Sequence, residues 1–312
     1  VGFNVGMKNS YIFLFFSALL VSCKPSADQS PSFSNATNVS SQYELPDLPE
    51  FILFCGQRIN LKDEDIRERL DREILVNAYF QSATIQHLKR ANRFFPSIER
   101  ILKREGIPED LKYLAVIESG LTQAISPAGA QGFWQFMPET AEQYNLQVTE
   151  EIDERLHVEK STIAACRYLK NAKNELGDWL LATASYNRGI GGVRNDMKWQ
   201  GTTHYFDTHM NSETGRYVFR LLAVKLIFEQ PEKYGFAIKK SALYKPLSTY
   251  NVTIKTSIPN LANWALKMGI NYKILVKLNP WILTNKLTVK NRFFVIQLPG
   301  KRTDLRPYKA IE

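Results

Sequence analysis

The sequence predicts a mainly α protein, an all-α body followed by a small α+β unit of β-α-α-β order. Three observations predict it. Apolar residues recur at helical spacing from residue 63 onward. No run between 51 and about 236 alternates as a strand does. Beyond "PEKYGF" the texture changes, and two alternating runs flank two short helical ones.

The elements follow in order. Asp63 can cap a helix whose first turn is acidic. From there "DEDIRERLDREILVNAYFQSATIQHLKRANRFF" sets Ile66, Leu70, Ile74 and Ala78 on one face. Pro96 is expected to break this helix, and "SIERILKREG" to continue as a short one ended by Gly106. "IPEDLKYLAVIES" starts with Pro108 near a helix N-terminus and carries Leu111, Leu114, Ala115 and Ile117, so Glu118 falls at the helix's C-terminal end. Further helices fit 138–145, 158–175, 178–187 and 213–230. In the last part "STYNVTIK" and "FFVIQLP" read as strands, with "IPNLANWALKMGI" and "NYKILVKLNPWI" as short helices between them. The join lies near 237–246.

The beginning of the chain reads as an address. Met7, Lys8 and Asn9 precede "YIFLFFSALLVS", too short for a membrane span. A basic start, a short apolar core and small residues before a break describe a secretory signal over 1–22. The break, "LVSC", resembles the lipobox of bacterial lipoproteins, which would make Cys23 the lipidated residue. An uncleaved anchor, or a free thiol after an ordinary signal, are the alternatives. Residues 23–50 are rich in Ser, Asn and Pro, too poor in apolar groups to order themselves, and read as a tether.

The net charge of +9 comes from 40 basic and 31 acidic residues, scattered and often adjacent, as in "LKDEDIRERLDRE". No nucleic-acid module is present, and a basic surface favours an anionic polymer or a membrane. Cys55 and Cys166 could pair in an oxidising compartment, although Cys166 sits on an apolar helical face that suits a buried thiol. The four histidines are dispersed, with His204 and His209 read as surface residues, so the pattern offers no metal site and no cofactor is expected.

The chemistry gathers around Glu118. A carboxyl at the end of an apolar helix is partly desolvated, and the helix C-terminus adds partial negative charge; both raise its pKa toward general-acid work. Taken alone, it fits an ordinary surface Glu as well. The next segment, "SPAGAQGFWQFMP", sets Pro127, Gly129 and Gly132 before Trp134, Gln135, Phe136 and Met137. Such a run suits a sugar, whose flat faces stack and whose amide and hydroxyl groups hydrogen-bond; it also suits a packed loop with core aromatics. The third piece is "ASYNRGIGGV", where Tyr186 and Asn187 precede glycines at a helix end.

Together, "ES" at Glu118–Ser119, "GAQGFWQFMP" at 129–138, "ATASYNRGIGGV" at 182–193 and "ETGRYVFRLLA" at 213–223 resemble the lytic transglycosylases with a goose-lysozyme-like catalytic domain, the membrane-bound type D group above all. The resemblance covers roughly 60–235 and implies a lysozyme-like all-α catalytic domain over 51–236. It implies that Glu118 is the sole catalytic acid and base, and that Ser126, Gln135 and Met137 line the sugar cleft. Tyr186 would face the glutamate with Asn187 beside it. Ser119 and Glu213 would support the cleft, Glu213 as a buried acid. Residues 240–312 resemble a LysM module. The Gly-Asp-Thr turn expected after its first strand is replaced by "KTSIPN", so glycan binding and a packing role both remain open.

Most glycosidases use two carboxylates. The resemblance implies a route needing one: Glu118 protonates the oxygen between N-acetylmuramic acid and N-acetylglucosamine, then takes the proton of the muramyl C6 hydroxyl as that attacks C1, leaving a 1,6-anhydro end. Glu139 and Glu142 read as solvent-face residues. The expected partners are peptidoglycan strands and, through Cys23, a membrane. The expected location is the cell envelope, at the outer membrane facing the periplasm. The rivals are a goose-type lysozyme, a wall-binding lipoprotein without turnover, and a structural lipoprotein supporting a partner complex.

Overall fold

The structure, a computed structural model, describes residues 47–301. The expected signal over 1–22, Cys23 and all but the last four residues of the expected tether lie outside them.

The described chain opens on a hairpin that the sequence reading did not contain. Strand β1 (Phe51–Phe54) pairs antiparallel with β2 (Gln57–Asn60), Phe51 opposite Asn60 and Phe54 opposite Gln57. Its two turn residues, Cys55 (φ 50°) and Gly56 (φ 80°), are both left-handed, the form that matches the twist of a two-residue hairpin. The alternation was hidden because "FILF" is apolar throughout, yet Ile52 and Phe54 are buried while Phe51 and Leu53 are exposed.

Helix α1 (Glu64–Tyr79) starts where expected, with the Asp63 carboxylate accepting from Ile66 N at 3.1 Å. The break comes at Phe80, not at Pro96, and α2 (Gln81–Glu105) runs through the proline to Gly106. Pro96 lies on the exposed side, where it removes one backbone donor. Ala91 before it and Ile98, Ile101 and Leu102 after it enter the same core, and that shared burial carries the helix across.

Then follow α3 (Tyr113–Ser119), α4 (Pro138–Gln143), α5 (Val158–Leu176), α6 (Trp179–Arg188), α7 (Ile190–Gln200) and α8 (Ser212–Glu229). Helix α7 was not expected. Its first turn contains Gly191 and Gly192, poor helix formers that read as a helix end, but Val193 is fully buried and fixes it. Helix α8 is the central element, packing on α1, α3 and α6. Its Phe219, Leu221 and Leu222 have no exposed surface. Cys55 and Cys166 are both free thiols, Cys166 buried.

Residues 237–248 run back along α2. Tyr244 N donates to Lys89 O at 3.2 Å, Asn92 Nδ2 to Tyr244 O at 3.0 Å, and Arg93 Nε to Lys245 O at 3.0 Å. The C-terminal unit then has the expected order: β3 (Thr249–Ile254), α9 (Leu261–Lys267), α10 (Tyr272–Leu278) and β4 (Phe294–Pro299). The strands pair antiparallel, with Thr249 opposite Pro299. Leu261, Leu275, Leu287, Ile296 and Leu298 form a second core.

Asn279, wholly buried, ties α10 to β4. Its Nδ2 donates to Leu275 O and Gln297 O, and its Oδ1 accepts from Gln297 N, at 2.7 to 2.9 Å. Asn279→Ala leaves the backbone N–H and C=O of half-buried Gln297 without this partner and is expected to cost about 2–3 kcal/mol. Urea unfolding followed by tryptophan fluorescence checks this, and an unchanged midpoint would mean that water replaces the amide.

Candidate active site

Helix α3 is buried along most of its length, with Leu114 and Ala115 fully enclosed. It delivers Glu118 in its last turn. The chain leaves at Gly120, which is left-handed (φ 59°); a Cβ there would lie 2.5 Å from His87 Nε2, so the turn needs glycine. Arg90 Nη1 donates to Gly120 O at 3.0 Å from α2 and braces the same corner.

The Glu118 carboxyl accepts a hydrogen bond from the Tyr217 hydroxyl on α8. Burial pushes its pKa up to about 7; the Tyr217 bond and the Arg220 charge pull down, and the Glu213 charge adds to the rise. This is the perturbation expected from its place at the end of an apolar helix.

The loop after α3 folds back against that helix end. Ser119 Oγ donates to Ala115 O at 3.1 Å and to Phe133 O at 3.0 Å. Gly132 (φ 81°) packs so close that a Cβ would stand 2.2 Å from Arg155 O. Gln135, itself left-handed (φ 47°), donates Nε2 to Ala124 O at 3.0 Å and to Gly132 O at 2.8 Å, so its amide nitrogen is spent on the loop. Ser126 Oγ accepts from Ala130 N at 3.0 Å and closes the turn over 126–130. Met137, 37 % exposed, stands at the surface where α4 begins.

The aromatics of this loop are not free to stack on a ligand. Phe133, Trp134 and Phe136 are buried, and Trp134 Nε1 donates to Thr162 Oγ1 at 2.9 Å. Of the two readings of this stretch, the packed loop is the one observed. Its apolar rings anchor the loop while its backbone and Gln135 form the local surface.

From α6, the half-buried Tyr186 hydroxyl donates to Trp134 O at 2.9 Å. The Glu118 charge adds to the burial that raises the Tyr186 pKa, which marks the two as neighbours. Asn187 donates Nδ2 to Glu213 Oε1 at 3.0 Å and accepts from Thr214 Oγ1 at 2.7 Å. Glu213 is exposed, which corrects its expected burial. It lies in the first turn of α8, where the open helix end suits a solvated carboxylate.

Glu118, Ser119, Gln135 and Tyr186 therefore share one locality, and Asn187 with Glu213 extends it along α8. Tyr217 is the residue that sequence reasoning missed, although it lies inside the "ETGRYV" motif, four residues beyond Glu213 on the same helix face. Glu139 and Glu142 are exposed on α4. Among the described residues no group of His, Cys, Asp and Glu is set to hold a metal ion, and no helix is long and apolar enough to cross a membrane.

Comparison with known proteins gives two domain matches. Residues 95–208 match the transglycosylase SLT domain, and residues 250–302 the soluble lytic transglycosylase C-terminal LysM-like domain. The chain is 26 % identical over 260 residues to membrane-bound lytic murein transglycosylase D of Escherichia coli K12, covering 80 % of this chain and 56 % of that protein. The chain thus spans little more than half the length of this curated relative. Solved structures are similar too, two lytic transglycosylases among them. One is the 70 kDa soluble lytic transglycosylase Slt70 from Escherichia coli, with 20 % identity, TM-score 0.39, and coverage of 60 % of this chain and 34 % of that one. The other is an inactive mutant of the lytic transglycosylase Slt from Pseudomonas aeruginosa, with 23 % identity, TM-score 0.36, and coverage of 48 % and 26 %.

Proposed function

From a chain that carries a transglycosylase SLT domain at residues 95–208 and a LysM-like domain at 250–302, we propose a peptidoglycan lytic transglycosylase with Glu118 as its general acid and then its base. The observation that carries this reading is the state of Glu118: a carboxyl raised to about 7 by burial, bonded to a tyrosine, in the loop setting where the domain match lies.

Protonated Glu118 gives its proton to the oxygen bridging N-acetylmuramic acid and N-acetylglucosamine, and the C1–O bond breaks. The muramyl acetamido group covers the far face of C1. The Glu118 anion then takes the proton of the muramyl C6 hydroxyl as its oxygen bonds C1. Glu118 ends protonated, no water is consumed, and the product end is 1,6-anhydromuramic acid. Both reacting substrate groups are already within one sugar, so proximity replaces a second carboxylate. Ser126, Gln135, Met137, Tyr186 and Asn187 line the glycan site in this reading. Ser119 ties the helix end to the loop, and Glu213 orients Asn187.

Residues 51–236 form the catalytic domain and 240–312 the LysM-like unit, after a signal over 1–22 and a tether over 23–50. Similarity to membrane-bound lytic murein transglycosylase D supports a place in the cell envelope. The "LVSC" stretch supports lipidation at Cys23 and, with it, the outer membrane facing the periplasm.

The test is mass spectrometry of the fragments released from purified peptidoglycan. Muropeptides lighter by one water are expected. Reducing ends would make the protein a hydrolase, and binding without release would leave a wall-binding protein. Because the first step needs Glu118 protonated, kcat is expected to fall as pH rises through about 7. A rate flat from pH 5 to 9 would remove Glu118 as the acid.

A further inference from the structure

Segment 147–157, between α4 and α5, touches both halves of the described chain. Toward the C-terminal unit, Asp153 N donates to Trp281 O and Leu283 N to Glu151 O, each at 2.9 Å. The Glu151 carboxylate accepts from Thr288 N at 3.0 Å and Thr288 Oγ1 at 2.9 Å, and pairs with Lys286 Nζ at 3.0 Å. Ile152 and Leu156 are members of the C-terminal unit's own core, and His157 stacks on Trp281 with ring centres 5.9 Å apart. The segment is therefore built into that unit as an extra edge.

Toward the cleft, the same segment presents a buried ion pair. Asp153 and Arg155 are 2 % and 4 % exposed. Arg155 Nε and Nη2 hold the Asp153 carboxylate at 2.6 to 3.1 Å. Its Nη1 donates to Gly129 O at 2.9 Å and to Phe136 O at 3.1 Å, two carbonyls of the cleft loop, which joins α3 to α4. The Gln131 amide, turned so that nitrogen faces Asp153 and oxygen faces Arg155, adds contacts at 3.2 and 3.3 Å. The planar fork of Arg155 is matched by acceptors, an arrangement an ammonium cannot reproduce. A buried pair of this kind contributes little net stability compared with an apolar replacement. What it does here is fix two carbonyls, those of Gly129 and Phe136, between which lie Phe133 O, the acceptor for Ser119, and Trp134 O, the acceptor for Tyr186.

We propose that Arg155 is a positioning residue through which the C-terminal LysM-like unit holds the cleft loop against Glu118. The unit then acts as a fixed buttress of the catalytic site, whether or not it also binds glycan. The proposal rests on the transglycosylase reading, and wild-type release of anhydro-muropeptides is the control that separates the two: its absence sinks that reading, and the variants below then are not needed to do so.

The experiment uses the full chain in two variants. Asp153→Leu combined with Arg155→Met removes both charges together at similar volume, so no charge is left buried alone. Ile152→Asp places a carboxylate in the C-terminal core and undocks the segment without touching the cleft. For each, kcat and KM on purified glycan strands are measured from pH 5 to 9. In both variants kcat is expected to fall about tenfold or more while KM changes less, and the alkaline limb is expected to move toward acid as water reaches Glu118. A partly unfolded preparation lowers the rate at every pH and leaves the limb where it was, so the limb separates positioning from loss of fold. A limb unmoved in either variant overturns the proposal.

Discussion

Glu118→Gln is expected to lower the release of anhydro-muropeptides by on the order of 10³-fold while glycan binding persists. The amide has the size of the carboxyl and still accepts from the Tyr217 hydroxyl. It has no proton to give to the bridging oxygen and cannot take one from the C6 hydroxyl, so both steps fail together. The same substitution is expected to stabilise the fold above neutrality. The folded-state pKa of about 7 exceeds the ordinary 4.5, so the native protein binds more protons than the unfolded chain between those values. Stability is lost as pH rises through that window, by roughly 3 kcal/mol once the group is ionised in both states. Glutamine has no such loss. Urea unfolding of both proteins at pH 4 and pH 8 should show the variant gaining on wild type at pH 8. Parallel behaviour at the two pH values would mean that Glu118 is not a desolvated acid, and a variant that still turned over would move catalysis elsewhere. A residue that is costly to the fold and required for the reaction is what a stability–activity trade-off looks like at one side chain.

How far the sequence could be read depends on where each signal lives. The all-α body and the β-α-α-β unit were legible because burial on one face leaves a period in the sequence, as along Ile66, Leu70 and Ile74. Elements that depend on distant packing were not. Pro96 is a local breaker overruled by the core on both sides of it, and Gly191–Gly192 read as a helix end until Val193 is known to be buried. The "FILF" hairpin was masked by an apolar residue at its exposed positions. At the site, the place of Glu118 at the end of an apolar helix was legible and its raised pKa agrees with it, but that place alone fits a surface acid as well, and only the later motifs singled it out. The fate of the aromatics was not, because a ring that stacks on a sugar and a ring that fills a core have the same one-letter code. Glu213 was misjudged for a related reason: burial of an acid is a property of the surface around it. The role of Arg155 was hidden: Asp153 lies two residues away, but the carbonyls of Gly129 and Phe136 that Arg155 also holds carry no sequence signature.

Tyr217→Phe isolates what the tyrosine does for the acid. The Tyr217 hydroxyl donates to the Glu118 carboxyl, and its own pKa is driven well above the ordinary value, by burial first and by the Glu118 charge next. It therefore remains a donor throughout the cycle. A donor favours the carboxylate over the acid, so it lowers the Glu118 pKa against the larger effect of burial. Removing it lets the pKa rise further, and the alkaline limb of kcat should move to higher pH. The rate itself should fall, because the Glu118 anion present after bond cleavage loses a charge-assisted hydrogen bond. Such a bond is worth about 1.5–3 kcal/mol, or roughly 10- to 100-fold. The two effects run in opposite senses above pH 7: the variant keeps its acid protonated longer yet works more slowly at its plateau. A pH–rate profile on purified glycan strands reads both at once. A lower plateau with the limb unmoved would mean that Tyr217 supports the cleft by packing alone. A limb moved toward acid would mean that the phenyl ring admits water to Glu118 and that the hydroxyl's main service was to exclude it.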